Sequence, residues 1–379
     1  MKNDFLEYYG KNHISPVGQD IEDIELHYER RKKLYQQCGI PLIAFRNAEI
    51  LEVGPGGGYN TLSYFKWNAK HIDLVEANDK GIEDMLQLFR ERNIPRGKYD
   101  IHKCRIEEYK TEKKYDIVIA EGFLQYLRNQ WEVINRLQQL IAQDGIVVIT
   151  CSDDVCMFVE SMKRLIGVVL TVDIPDYNQK VNYLEKFFRP QLKQLRGVSR
   201  SVREWVQDQI LNPVEINGME LSLKQAIEFF EDGFEVLGSS PHMFTDYSWY
   251  KDVWYDYKED YKRQFDKKRF SLLQADMPEV ILPIEHVDQL VKAFKTAKRA
   301  AANYERTLDV EEIDTIIVEM NNMQKLIVQN FDDNFINVFG EIRAALTCLR
   351  KTEVFNIEKY PHFMPAFGRM QQYISFAKK

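Results

Sequence analysis

The chain has 379 residues, of which 45% are hydrophobic and 29% are charged, and its formal net charge is -7 at pH 7. This composition is that of a globular protein with ample length for a core, and the acidic balance disfavours a general nucleic-acid binder, which needs a basic surface. The five cysteines form no Cys-x-x-Cys pair, so the sequence suggests neither a zinc site nor a disulfide framework.

The N-terminal segment, residues 1–47, precedes the first predicted strand. Apolar and aromatic residues recur in it at three- and four-residue intervals from about Asp20, which predicts a helix, and we expect an N-terminal helical cap. The N-terminus lacks an apolar signal core, and no run in the chain approaches the ~18 apolar residues of a membrane span. We therefore expect a cytoplasmic protein without a membrane-spanning segment.

A β-loop-α-β unit follows the cap. The apolar run Ile50–Val53 ends in the sequence Gly54-Pro55-Gly56-Gly57-Gly58, and a second apolar run ends in Glu76. The glycines permit a sharp turn, and we expect that a Cβ at Gly56 would fill space that a ligand occupies. A carboxylate that ends the neighbouring strand about 20 residues later accepts hydrogen bonds from ribose hydroxyls. The unit thus predicts a nucleoside pocket.

The glycine spacing separates two cofactor classes. A dinucleotide fingerprint would need glycine at positions 54, 56 and 59. Position 59 is tyrosine, which weakens the case for a nicotinamide cofactor. The run Leu51-Glu52-Val53-Gly54-Pro55-Gly56-Gly57-Gly58 instead resembles the first motif of the class I S-adenosylmethionine-dependent methyltransferases. In that family the acidic residue closing the second strand matches Glu76.

The resemblance continues to about Thr150. Tyr115–Gly122 is similar to the fourth strand of the family and its turn, and Leu140–Ile149 is similar to the lead into the fifth. Alternating strands and helices predict an α/β fold, a parallel sheet with helices on both faces. The resemblance implies a Rossmann-like sheet of seven mostly parallel strands, into which large helical insertions are placed. We expect a core over residues 48–242 with a helical insertion at about 153–230, a second helical insertion over 243–366, and a last core strand over 367–379.

The resemblance implies S-adenosylmethionine as the cofactor. It implies that Glu52 orients the methionine end and that Glu121 lies beside it. Arg105 stands where the family usually holds an acidic residue that contacts adenine, so this contact would fall to the backbone of Ile106. The expected cofactor contacts are Glu52, Gly54, Gly56, Gly58, Glu76, Ala77, Arg105, Ile106 and Glu121.

Acceptor contacts and bases are candidates without a motif. In related methyltransferases the N-terminal segment folds over the cofactor cleft, which would bring Tyr8, Tyr9 and His13 near the transferred methyl. The family's sixth strand ends, and its seventh begins, at the cofactor edge, which would place His242 and Arg369 there. His242 and His13 are candidate bases, whereas Tyr8, Tyr9 and Arg369 are candidate acceptor contacts. No His, Asp or Glu spacing suggests a metal site.

The insertions carry patterns with two interpretations each. A series of basic residues over 186–203 is either an anion site or a solvated face. Aromatic residues at helical steps are either a packing face or a substrate platform, and they are Tyr247, Tyr250, Trp254, Tyr257, Tyr261 and Phe265. Apolar residues recur at helical spacing over residues 284–308, 310–330 and 335–350, which predicts three helices in a bundle. We expect the 243–366 insertion to form a lid over the acceptor.

The leading functional hypothesis is methyl transfer to a small polar acceptor, such as a sugar, a sugar nucleotide or a secondary metabolite. We expect no nucleic-acid partner, and a homo-oligomer could form through the helical insertions. One alternative is a noncatalytic Rossmann-like module that binds a protein. Another is a nicotinamide-dependent oxidoreductase, which Tyr59 disfavours.

Overall fold

The chain folds into two compact units, each of which we describe by itself. A computed structural model describes residues 5–195, 197–213, 221–230, 233–244, 249, 251, 257–351 and 353–379. Unit 1 comprises Met1–Cys151, Leu221–Lys262 and Gln371–Lys379, and unit 2 comprises Ser152–Glu220 and Arg263–Met370. Unit 2 therefore combines residues from both predicted insertions. The domain boundaries expected from the sequence stay predictions.

Unit 1 is built on a seven-stranded sheet. Its strands are β1 (Glu49–Val53), β2 (His71–Val75), β3 (Tyr99–His102), β4 (Tyr115–Ala120), β5 (Ile141–Cys151), β6 (Phe234–Ser240) and β7 (Gln372–Lys378). The strand order is β3-β2-β1-β4-β5-β7-β6. The five adjacent strands β3, β2, β1, β4 and β5 are parallel to one another, and β7 is antiparallel to both β5 and β6. The predicted mostly parallel Rossmann-like sheet is confirmed.

The helices connect these strands and form most of unit 2. In chain order they are α1 (Phe5–Asn12), α2 (Ile24–Gln37), α3 (Thr61–Lys66), α4 (Asp79–Glu91), α5 (Gln130–Leu140), α6 (Phe158–Thr171), α7 (Tyr177–Leu192), α8 (Val202–Trp205), α9 (Leu223–Phe229), α10 (Tyr257–Lys268), α11 (Ile284–Thr307), α12 (Glu311–Asn330) and α13 (Asp333–Arg350). None of those that the structure describes combines the length and the apolarity needed to cross a bilayer.

The sequence of helix α2 explains where this helix begins and which of its faces is buried. The Asp23 side chain caps α2 by accepting a hydrogen bond from the amide of Leu26, so the helix begins after the predicted Asp20. Its buried side chains, His27, Arg31 and Tyr35, recur every four residues and therefore share one face. Two of these three buried side chains are polar, which a helix face that only packs on a core would not need.

Unit 2 has a helical core of its own. The three helices predicted over residues 284–350 are confirmed as α11, α12 and α13, and their buried apolar side chains join those of α6 in one cluster. In the basic series, Arg189 and Arg203 pair with Glu185, and Arg200 pairs with Asp208. These ion pairs favour the solvated charged face over an anion site. Arg196, which belongs to the same series, lies outside the described residues.

The aromatic stripe is described in part. The rings of Tyr257 and Tyr261 lie 5.2 Å apart, those of Phe244 and Tyr261 lie 4.7 Å apart, and Phe265 is buried. These contacts favour a packing face over a substrate platform. Tyr247, Tyr250 and Trp254 lie outside the described residues.

Candidate active site

The glycine-rich turn joins β1 to α3 at the carboxyl edge of the sheet. Gly54, Gly56 and Gly58 have φ angles of +67°, +54° and +77°, a region that favours glycine. A Cβ at Gly56 would lie 2.7 Å from Cγ2 of Val17. The expectation that it would also fill ligand space stays a prediction. The missing side chain makes room for the N-terminal segment.

Glu76 holds this turn in place. Its carboxylate accepts hydrogen bonds from the amides of Gly56 at 2.8 Å and Asn78 at 2.7 Å, one on each oxygen. Burial raises the pKa of Glu76, although the amides of Asn78 and Gly56 oppose this shift. Each carboxylate oxygen can accept a second hydrogen bond, so Glu76 keeps the capacity to bind two ribose hydroxyls.

Glu52 is a buried carboxyl on β1. It accepts a hydrogen bond of 2.6 Å from the hydroxyl of Thr61, the first residue of α3. Burial raises the pKa of Glu52 to about 8; the Thr61 hydrogen bond opposes the shift, and the nearby carboxylate of Glu121 adds to it. A cationic ligand group would stabilise the ionised form. The position thus suits the ammonium of an amino acid.

Glu121, just after β4, forms an ion pair with Arg31 of α2. The two guanidinium Nη atoms donate to its two oxygens at 2.9 and 2.7 Å, and both side chains are less than 9% exposed. Tyr35 and Asn60 donate to the same carboxylate at 2.9 and 3.0 Å, while Arg31 also donates to Tyr64. Glu121 therefore anchors helix α2, a role that the sequence did not indicate.

Arg31 retains one buried donor. Its Nε atom has no acceptor among the residues that the structure describes. An unpaired buried N–H group is costly unless a ligand supplies the acceptor. The only signal in the sequence was an arginine on the buried face of α2.

The N-terminal segment packs against the glycine turn. The side-chain amide of Asn78 donates to the carbonyl of Ile14 at 3.1 Å, and Gln19 donates to Asn60 at 3.0 Å. Further along, His27 Nε2 lies 3.1 Å from the carbonyl of Tyr59. Residues 14–19 thus lie over the loop that the resemblance assigns to the cofactor.

A cleft of about 450 Å³ opens at the carboxyl ends of β2 and β3. It is lined by Leu6, Glu7, Ala77, Lys103, Cys104, Arg105 and Glu108. The structure therefore brings Ala77 and Arg105 together, as the resemblance implies, while Ile106 beside them is buried. Tyr8 and Tyr9 lie on α1, the helix that contributes Leu6 and Glu7.

His13, His242 and Arg369 are not among the residues that line this cleft. His13 is mostly exposed, and its Nε2 atom is 3.9 Å from Glu83 on α4. His242 is exposed and follows the edge strand β6, four strand spacings from β1, which amounts to ~19 Å. Arg369 belongs to unit 2, where its Nε atom donates to the carbonyl of Ala275 at 2.7 Å.

Comparison with known proteins identifies a family model and relatives that each match part of the chain. Residues 27–195 match the family model described as "Methyltransferase domain". The ubiquinone biosynthesis O-methyltransferase of Rickettsia canadensis (strain McKiel) is 26% identical over 225 residues, which are 54% of this chain and 83% of that protein. Its namesake in Rickettsia bellii (strain OSU 85-389) is 34% identical over 36% of this chain and 50% of its own length.

Two further matches cover smaller shares. The malonyl-[acyl-carrier protein] O-methyltransferase of Acetivibrio thermocellus is 26% identical over 34% of this chain and 48% of that protein. The chain thus spans about half the length of that relative and of the R. bellii protein. Among solved structures, the N-methyltransferase NodS from Bradyrhizobium japonicum WM9 in complex with S-adenosyl-L-homocysteine has a TM-score of 0.32 and 17% identity, over 39% of this chain and 74% of that chain.

The raised pKa of Glu52 predicts a pH dependence of stability. The folded, ligand-free protein holds this proton more tightly than the unfolded chain, because the pKa is about 8 rather than 4.5. The stabilising contribution is complete below about pH 4.5 and is lost as the pH rises towards about 8. Glu52→Gln cannot ionise, so its melting temperature should fall less than that of the wild type between about pH 6 and about pH 9. Thermal denaturation of both proteins, with the exposed Glu91→Gln as control, checks this; equal slopes for wild type and Glu52→Gln would contradict it.

The ion pair between Arg31 and Glu121 predicts strong coupling. Arg31→Met should lower the free energy of unfolding by about 3–5 kcal/mol, because it leaves a carboxylate buried without its partner. The double variant Arg31→Met/Glu121→Gln should be more stable than the sum of the single losses predicts. Denaturant unfolding of the four proteins gives the coupling energy, and additive losses would show that the pair does not act as a unit.

Proposed function

The chain belongs to the class I S-adenosylmethionine-dependent methyltransferases, with S-adenosylmethionine as its cofactor, and we propose that it transfers the methyl group to an oxygen of a small polar acceptor. The observation that carries the proposal is the set of buried carboxyls around the glycine turn: Glu52, Glu76 and Glu121. Transfer to oxygen is supported by relatives whose names specify O-methylation.

The strand order supports one orientation of the cofactor. Strands β2, β1 and β4 are adjacent, so the carboxyls of Glu76, Glu52 and Glu121 follow one another over ~10 Å of the sheet edge. Glu76 would hold the ribose, and the cleft beside Ala77 and Arg105 would take the base. The amino-acid end would then lie towards β1 and β4.

The amino-acid end would meet groups of matching charge. Glu52 offers a carboxylate to its ammonium, and the unpaired Nε–H of Arg31 offers a donor to its carboxylate. Because both protein groups are buried, each interaction is less screened than it would be at the surface. The N-terminal segment over the turn would shield the bound cofactor from water.

The cofactor supplies a methyl group on a sulfonium, which is already a good leaving group. The protein must therefore chiefly hold the acceptor in line with the methyl, a positioning effect. An acceptor hydroxyl of high pKa also needs a base. His13 and His242 stay predicted bases, and Tyr8, Tyr9 and Arg369 stay predicted acceptor contacts. The acceptor lid over residues 243–366, a homo-oligomer and an acceptor such as a sugar, a sugar nucleotide or a secondary metabolite also stay predictions.

Methyl transfer from labelled cofactor tests the proposal. The purified chain should label the oxygen of at least one member of a panel of phenols, sugar nucleotides and acyl carboxylates, chosen because ubiquinone and malonyl O-methyltransferases are among the relatives. Label that appears only on nitrogen or carbon would contradict transfer to oxygen. Tight binding of neither S-adenosylhomocysteine nor NAD would instead favour the noncatalytic protein-binding module.

The same assay examines the predicted bases. With the acceptor in hand, single-turnover rates of His13→Ala and His242→Ala at saturating cofactor separate a base from a surface side chain. A base should lose rate while cofactor affinity stays intact, and the loss should shrink as pH rises if the acceptor can then ionise unaided. Wild-type rates in both variants would discard both histidines and would point to a tyrosine, such as Tyr8 or Tyr9, or to an acceptor that needs no base.

A further inference from the structure

A cluster of histidines and aspartates lies on the edge of the unit 1 sheet. In the parallel register Asp73 of β2 pairs with Asp100 of β3, and Val75 pairs with His102. Side chains alternate along a strand, so His71 and Asp73 share one face of β2 while Asp100 and His102 share the same face of β3. Neighbouring strands thus place two imidazoles and two carboxylates together.

The distances fit coordination of a cation. His71 Nε2 lies 3.2 Å from an Asp100 oxygen, and one ligand atom from each of His71, Asp73 and Asp100 lies within 4.8 Å of the others. A zinc ion holds nitrogen and oxygen ligands at ~2.0–2.2 Å, which puts neighbouring ligand atoms ~3.3 Å apart in a tetrahedral site. Small side-chain rotations would bring all three onto one ion.

We propose that His71, Asp73 and Asp100 form a binding site for a divalent transition-metal cation such as Zn²⁺. One imidazole nitrogen and two carboxylate oxygens are ligands that such an ion accepts, whereas Mg²⁺ prefers oxygen alone. His102 Nε2 lies 2.8 Å from Oδ1 of Asp73 and would orient this carboxylate as an outer partner. Asp73 is 7% exposed and Asp100 is 68% exposed, so an ion can enter from solvent and still reach a buried ligand.

Lys113 is the competitor for this site. Its Nζ atom lies 2.8 Å from Asp73 and also 2.8 Å from Glu49. A bound cation would repel the ammonium from Asp73, and Glu49 offers it a second carboxylate on β1. The negative charge of Asp73, which attracts Lys113, would also attract the metal ion.

The site is separate from the cofactor pocket. His71 begins β2 and Glu76 follows its end, so five residues at ~3.3 Å each separate them by ~16 Å. A metal here would tie the edge strand β3 to β2 and would stabilise the folded state by mass action.

Calorimetric titration of the full, chelator-treated chain with ZnCl₂ tests the proposal. We expect one Zn²⁺ per chain, and His71→Ala and Asp100→Asn should each weaken binding at least about tenfold. The matched control His362→Gln removes an exposed histidine of unit 2 and should leave the affinity unchanged. Lys113→Met should tighten binding, a gain that damage to the fold would not produce.

The opposite results would overturn the site. Equal zinc affinity in the wild type, His71→Ala and Asp100→Asn would mean an adventitious ion only, as would loss of binding in His362→Gln. Absence of zinc binding to the wild type would also reject the proposal. MgCl₂ at the same concentration should not compete, and circular dichroism spectra verify that the variants are folded. Asp100→Asn, an isosteric change at an exposed position, keeps the test valid if His71→Ala unfolds.

Discussion

The carboxylate of Glu76 is the constraint on which the candidate site depends. By accepting hydrogen bonds from the amides of Gly56 and Asn78, it joins the end of β2 to the glycine turn after β1. Val17 of the N-terminal segment packs against this turn at Gly56, where a side chain is missing. The turn that Glu76 holds therefore also positions the N-terminal segment. One buried carboxylate thus fixes the loop and the segment over it.

The electrostatics of the pocket extend this constraint to β1 and β4. Three acidic side chains are buried within a few strand spacings, and Arg31 is the cation that pairs with one of them. Desolvation disfavours ionisation, which raises the pKa values of Glu52 and Glu76. A ligand with cationic groups relieves this cost. These buried carboxyls therefore suit a ligand that joins a cationic amino acid to a nucleoside, which is the character of the family's cofactor.

Sequence patterns predicted the fold because its signals are local. Apolar runs, the glycine series and helical periods lie within short windows, and they predicted the sheet and the helices α11 to α13. The contact between Arg31 and Glu121 joins residues 90 positions apart, so no spacing rule could indicate it. The position of the short edge strand β3 was not predicted from the sequence. Without this strand, the sequence could not indicate that Asp100 lies close to His71 and Asp73. The positions of His242 and Arg369 depend on tertiary contacts, and no motif around either residue predicts those contacts.

The central claim is that Glu76 binds the ribose of S-adenosylmethionine, and calorimetric titration with S-adenosylhomocysteine tests it most directly. Glu76→Gln keeps an acceptor for the amide of Gly56 but loses the charge, so its affinity should fall by about 10- to 100-fold, the equivalent of a charged hydrogen bond. The exposed Glu83→Gln on α4 should bind as the wild type does. Wild-type affinity in Glu76→Gln would contradict the assignment of this pocket.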